Sequence, residues 1–160
     1  MTAIGIDYGV RRVAIGHATD TRFLYDIQLG AAKGEPNDAL ALEEMYQDIH
    51  VVVRALTRRA SVLVAIESPI QGASANIKTG LRLAQVAGVI LVACRHAGAA
   101  TLLVAPSEWK KAVVGVGNAS KDQVDEWLAG HHPDLRAACH TQDAVDATCL
   151  ALYAQAVLAR

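Results

Sequence analysis

"IGIDYGVRRVAIGHA", residues 4–18, sets one aspartate, Asp7, inside an apolar run with glycines on both sides. Residues 2–8 alternate loosely and predict a strand. Residues 11–19 predict a second, with Val13 and Ile15 on one face. The link through Gly9 and Val10 is short, so the two strands make an antiparallel hairpin. A carboxylate in such a strand is unfavourable unless something compensates it. A phosphate-binding turn, a structural accident and one ligand of a metal site all stay open on this stretch alone.

Working outward, "RFLYDIQLG" (22–30) predicts a third strand a few residues on. Leu42, Met45, Ile49, Val52 and Leu56 recur at helical spacing and predict a helix over 38–59. "SVLVAIE" (61–67) is a continuous apolar run, suited to a central strand covered on both faces, and it ends in Glu67. Residues 76–98 predict a long helix, apolar all round from Val86 to Cys94. Such a helix is buried on two sides, and the second side suits a partner subunit. A strand over 100–105 follows, then helices over 107–114 and 121–130, an irregular stretch over 131–140, and a final helix over 141–159 with Thr141 as N-cap. The order predicts an α/β fold with a five-stranded mixed sheet, three strands antiparallel and two parallel, flanked by helices. A chain of 160 residues reads as one domain, 1–160.

Composition narrows the class. Hydrophobic residues make up 52% and aromatics 4%, a well-packed globular composition without a disorder signature. Cys94, Cys139 and Cys149 are odd in number and lack CxxC spacing, so they read as free thiols in a reducing compartment. No basic leader precedes an apolar segment, and the run 86–94 is too short to span a bilayer; a soluble, cytoplasmic protein with no membrane partner is expected. The formal net charge of −1 speaks weakly against nucleic acid. Setting aside four acids committed to a metal cluster leaves an excess of three positives on the rest of the surface.

Asp7, Glu67, Asp143 and Asp146 stand out by position. Asp143 and Asp146, three apart, share one helix face with Cβ atoms roughly 5–6 Å apart. Each acid alone suits an ordinary role: Asp143 as a dipole-favouring residue in a first turn, Glu67 as a strand-end surface acid. Gathered by the fold, four carboxylates repel unless a cation neutralises them. Mg²⁺ and Mn²⁺ are hard ions that take carboxylate and water ligands. Two such ions about 4 Å apart suit phosphodiester hydrolysis.

These residues stand in motifs that resemble the RNase H-like nuclease superfamily and, within it, the RuvC-type Holliday-junction resolvases. "GIDYGVRRVAIG" looks like the first motif, with Asp7 as its aspartate; "VAIES" resembles the second, with Glu67. "TGLRLAQVAGVILVA" looks like the long helix that forms much of the dimer interface in resolvases. "APSEWKKAVVGVGNASKDQV" resembles the segment before the last acids, and "QDAVDATCLAL" the final motif, with Asp143 and Asp146. The resemblance covers almost the whole chain. It implies a homodimer, joined through helix 76–98, that cuts two opposed strands of a four-way junction with Mg²⁺ or Mn²⁺, two ions per site. The implied products are a 5′-phosphate and a 3′-hydroxyl. Lys110 and Lys121 resemble lysines near the scissile backbone, with Lys121 in the catalytic set. Lys111, Arg11, Lys78 and Arg82 widen the implied DNA-binding face, and Arg12 stands beside them.

Two positions depart from the pattern. Resolvases commonly carry proline after the first aspartate; here it is Tyr8, and an "IDYG" start resembles ribosomal-RNA-maturation nucleases of the YqgF type. The loop after the glutamate commonly presents an aromatic ring to junction bases; here Ile70 stands in that place, able to wedge but poor at stacking. A relaxed resolvase acting on several branched DNAs, like some phage-encoded members, fits both. The alternatives are an RNA-processing nuclease of the same fold, an actin-like nucleotide-binding protein, which needs two such domains, and a non-catalytic junction binder. His140 reads as a loop histidine near a helix start, with an outer-shell or proton-transfer role as the alternative. Trp109 and Trp127 read as packing anchors, His131 and His132 as loop residues, and Gly115 and Gly117 as turn formers.

Overall fold

The computed structural model describes residues 1–20, 25–28, 38–69 and 77–160. Five strands, β1 (Thr2–Tyr8), β2 (Arg12–His17), β3 (Tyr25–Gln28), β4 (Val62–Glu67) and β5 (Ala100–Val104), lie in the order β3-β2-β1-β4-β5. The three N-terminal strands are antiparallel, and β4 and β5 run parallel to β1. The predicted sheet is therefore observed, with β3 described over four residues of the stretch 22–30. The Gly9 amide donates to the Arg12 carbonyl at 2.8 Å and closes the hairpin.

Alternation along each strand splits the core in two. Ile4, Ile6, Val13, Ile15, Val62, Val64 and Ile66 face α1 (Asp38–Thr57) and α2 (Ile77–His96), where Met45, Ile49, Val86 and Ile90 complete a dry layer. Ala3, Ala65 and Val104 face the C-terminal helices: α3 (Pro106–Val113), α4 (Lys121–His131), α5 (Pro133–Ala138) and α6 (Gln142–Leu158).

The helix α6 lies unusually close to the sheet, and glycine is the cause. Gly5 on β1 pairs with Gly16 on β2. A Cβ at Gly5 would overlap the Ala147 carbonyl and the Ala151 amide of α6; one at Gly16 would overlap the Thr148 backbone. The glycine pair is a notch into which the helix settles. Of the two glycines flanking Asp7, Gly5 thus serves helix docking, while Gly9 has open space around it and closes the hairpin.

Two expectations need correction, on the stretch 131–140 and on the reach of α2. The stretch 131–140 is not wholly irregular: Pro133 begins α5, because proline fits a first helical turn where its missing N–H is no loss. Within the chain α2 is buried on one side, and the second side, expected to suit a partner subunit, is open. Val86, Ala87, Ile90, Ala93 and Cys94 are buried, but Leu81 is 61% and Val92 47% exposed. A mostly apolar groove of about 580 Å³, lined by Leu42, Tyr46, Gly88, Val89 and Val92 among others, runs along this outer side between α1 and α2. By length and composition the whole of α2, unlike the run 86–94 alone, is long and apolar enough to cross a membrane. Its buried stripe packs instead on the sheet, as a core helix does. All three cysteines are buried and free.

Candidate active site

β1 and β4 run in parallel register through Ile6 and Ile66, so the next residues, Asp7 and Glu67, lie side by side near the ends of neighbouring strands on the α6 face. The N-terminus of α6 arrives above them because the glycine notch admits it. Thr141 caps that helix, accepting from the Ala144 amide at 3.1 Å. With the cap supplied by Thr141, Asp143 and Asp146 are left for other work in the first turns.

The carboxylates sense one another. Burial, then the charges of Glu67, Asp146 and Asp143, push the Asp7 carboxyl up to about 8, against a smaller downward pull from the Tyr8 amide, which donates to it at 2.9 Å. Glu67 is also raised, first by burial and then by Asp146; the Trp109 indole N–H, donating at 2.9 Å, and the charges of Lys110 and Lys121 oppose this. Burial raises Asp146 as well, countered by the Gln142 amide at 3.1 Å and by the same two lysines. Asp143 lies 3.9 Å from the Arg12 guanidinium, which β2 presents on the α6 face.

Lys110 and Lys121 thus lie within electrostatic reach of the acids. The Lys110 ammonium donates to the Ala119 carbonyl at 3.0 Å and sits 5.5 Å from the Trp109 ring centre, tying α3 to the turn before α4. Lys121 opens α4 behind a reciprocal Ser120–Gln123 cap and is exposed. Lys111, Arg11 and Lys78 are exposed, and Arg82 is half-buried on α2. Ile70 lies outside the described residues. His140 is exposed.

Three participants, Trp109, Gln142 and Tyr8, carried little sequence signal. Trp109 was expected only as a packing anchor; it is wholly buried and also holds Glu67. Trp127 is a partly buried surface ring, stacked on His131 with centroids 4.5 Å apart. Gln142 reaches Asp146 across one helical turn, an i, i+4 spacing that could have been read. Tyr8 packs against the α1–α2 layer, with its hydroxyl raised by burial, Glu67 and Asp7.

Among the described residues, no three His, Cys, Asp or Glu side chains close into a ready coordination sphere. The donor set nevertheless fits a hard cation. It is all carboxylate oxygen, and each of Asp7, Glu67 and Asp146 has one oxygen held by an N–H donor. A carboxylate offers about four acceptor sites, so capacity remains on each. Mutual repulsion and burial of these acids are what a cation would relieve.

Residues 3–154 match the family model described as crossover junction endodeoxyribonuclease RuvC. A protein of that name from Nitratidesulfovibrio vulgaris (strain Hildenborough) shares 33% identity over 141 residues, covering 85% of this chain and 82% of its own length. Two solved structures share the fold at a TM-score of 0.73: RuvC of Thermus thermophilus, 23% identical, and the same protein in complex with a Holliday junction substrate, 19% identical. Each covers 99% of this chain, and the chain covers 97% and 96% of them.

Proposed function

The chain belongs to the crossover junction endodeoxyribonuclease RuvC family and resolves Holliday junctions, and on that premise we propose that cleavage occurs where Asp7, Glu67, Asp143 and Asp146 meet. The observation that carries this reading is the placement of Asp7 and Glu67 on neighbouring parallel strands under the first turns of α6, with each of Asp7, Glu67 and Asp146 held by an N–H donor and raised chiefly by burial. The four acids would hold Mg²⁺ or Mn²⁺, two ions per site. When bound, such ions supply charge neutralisation, water activation and leaving-group stabilisation for phosphodiester hydrolysis.

The chain's own residues do the rest. The Trp109, Gln142 and Tyr8 N–H groups fix the carboxylates so that they do not swing towards solvent. Lys121 stabilises charge developing on the scissile phosphate, and Lys110 braces the turn that presents it. Lys111, Arg11, Lys78 and Arg82 take phosphates of the junction arms, contacts that set register without reading sequence. Ile70 is the proposed wedge between junction bases. The products are a 5′-phosphate and a 3′-hydroxyl, and other branched DNAs are also cut.

Residues 1–160 act as one nuclease domain in the cytoplasm. Two copies pair through α2, whose open groove and exposed Leu81 and Val92 would be covered. A homodimer puts two identical sites on opposed strands. The test is cleavage of a four-way DNA junction with each strand labelled in turn, with Mg²⁺ or Mn²⁺, beside sedimentation of the free protein. Paired symmetric nicks and a dimer are expected; absence of cutting by the wild type with either ion overturns the site assignment.

A further inference from the structure

One side chain from the opening hairpin has no part in holding cations, although the backbone amide of the same residue steadies Asp7. Tyr8 follows Asp7 on β1, pairs with Val13 and lies on the opposite face of the sheet. Its ring is partly buried against the α1–α2 layer. Its hydroxyl oxygen is buried and has no hydrogen-bond partner among the described residues. An unpaired buried hydroxyl is unfavourable in the free protein.

Tyr8 also lines a small cleft with Glu67, Ser68, Pro69, Leu83 and Pro106, of about 120 Å³. At about 30 Å³ per water, that is room for some four waters. It is too narrow for a base pair and is open at the strand ends. One wall is Glu67, so whatever enters lies against the carboxylates that a cation neutralises. The described lining holds no basic side chain, so a phosphate would be drawn there by the cation that Glu67 helps to hold.

We propose that the Tyr8 hydroxyl is a positioning donor for the strand being cut, giving its hydrogen bond to a phosphate oxygen of the nucleotide that enters this cleft. The inference rests on the proposed active site and adds a contact to it. The partner missing in the free protein is then the substrate itself.

The test compares the full-length wild type with Tyr8→Phe, which removes only the hydroxyl. Four-way junctions are used with natural phosphates or with an uncharged methylphosphonate stepped through the positions flanking the cut. On the natural junction the variant's single-turnover cleavage falls about tenfold, while Mn²⁺ binding is unchanged and the melting temperature does not fall. At one methylphosphonate position the wild type loses the same factor and Tyr8→Phe loses nothing further. Equal cleavage by the two proteins, or losses that multiply at every position, would overturn the proposal. A gel shift in Ca²⁺, a hard cation that takes the same oxygen ligands, makes the same comparison in binding. If the wild type cuts nothing, the active-site reading fails, while the gel shift still decides whether Tyr8 meets a phosphate.

Discussion

On the α1–α2 face of the sheet, β1 and β4 present Ile4, Ile6, Val64 and Ile66, all wholly buried. On the α6 face the same strands present Ala3, Gly5 and Asp7, then Ala65 and Glu67. One face is large, branched and dry. The other is small, then absent, then charged, so that a helix comes close and ends over two acids. The first face stabilises the fold; the second gives up side-chain volume to bring four carboxylates together. A single turn of alternation in the same strands thus serves two ends.

The largest effect should come from the charged end. Asp7→Asn or Asp146→Asn is expected to lower junction cleavage by about 10³-fold, some 4 kcal/mol in the barrier, while a metal-free gel shift still shows junction binding. Robust cleavage by either would detach the acids from the chemistry. The notch comes next. Gly5→Ala drives a methyl into the backbone of α6 and should destabilise the chain by about 3 kcal/mol, read as a denaturation midpoint. Ile4→Val, one residue away on the dry face, should cost about 1 kcal/mol. Equal losses at the two positions would erase the distinction between the faces.

Smaller still is the support around Glu67. Trp109→Phe keeps most of the packing and deletes the indole N–H, so cleavage should fall several-fold, about 1 kcal/mol. The change should exceed that from Trp127→Phe, whose ring stacks on His131. The pH dependence is the subtlest. Asp7, held at about 8 in the folded chain, keeps a proton there that the unfolded chain has lost above the ordinary carboxyl range near 4. The folded state therefore binds more protons between those values, and metal-free stability should fall as pH rises through them. Asp7→Asn should flatten that slope in thermal melts, and saturating Mg²⁺ should offset it in the wild type.

Much of this was legible in residue order. The alternation of β1 and β2, the apolar run ending in Glu67 and the Asp143–Asp146 pair are local patterns, and local patterns set strands, helices and shared faces. The Thr141 cap was legible for the same reason. Long-range contacts were not. Nothing in "SEWKK" says that Trp109 will reach Glu67, because that contact exists only once β5 and α3 return beside β4. Gly5 and Gly16 were visible, but their purpose depended on which helix crossed them. That α2 has two apolar sides was legible; what covers the outer one was not, because apolar residues look alike whether they face the core or an open groove. The segment 131–140 hid α5 because histidines and a proline mask a helix start.

The central claim is that the α6 face gathers acids in order to hold divalent cations. Titrating Mn²⁺ into the metal-free chain by calorimetry near pH 7, in buffers of different ionisation enthalpy, tests it most directly. The account predicts saturable binding of two ions per chain in the wild type, with a proton released as Asp7 ionises, and loss of both binding and proton release in Asp7→Asn. Unchanged Mn²⁺ binding in Asp7→Asn, or binding by the wild type without proton release, would contradict it.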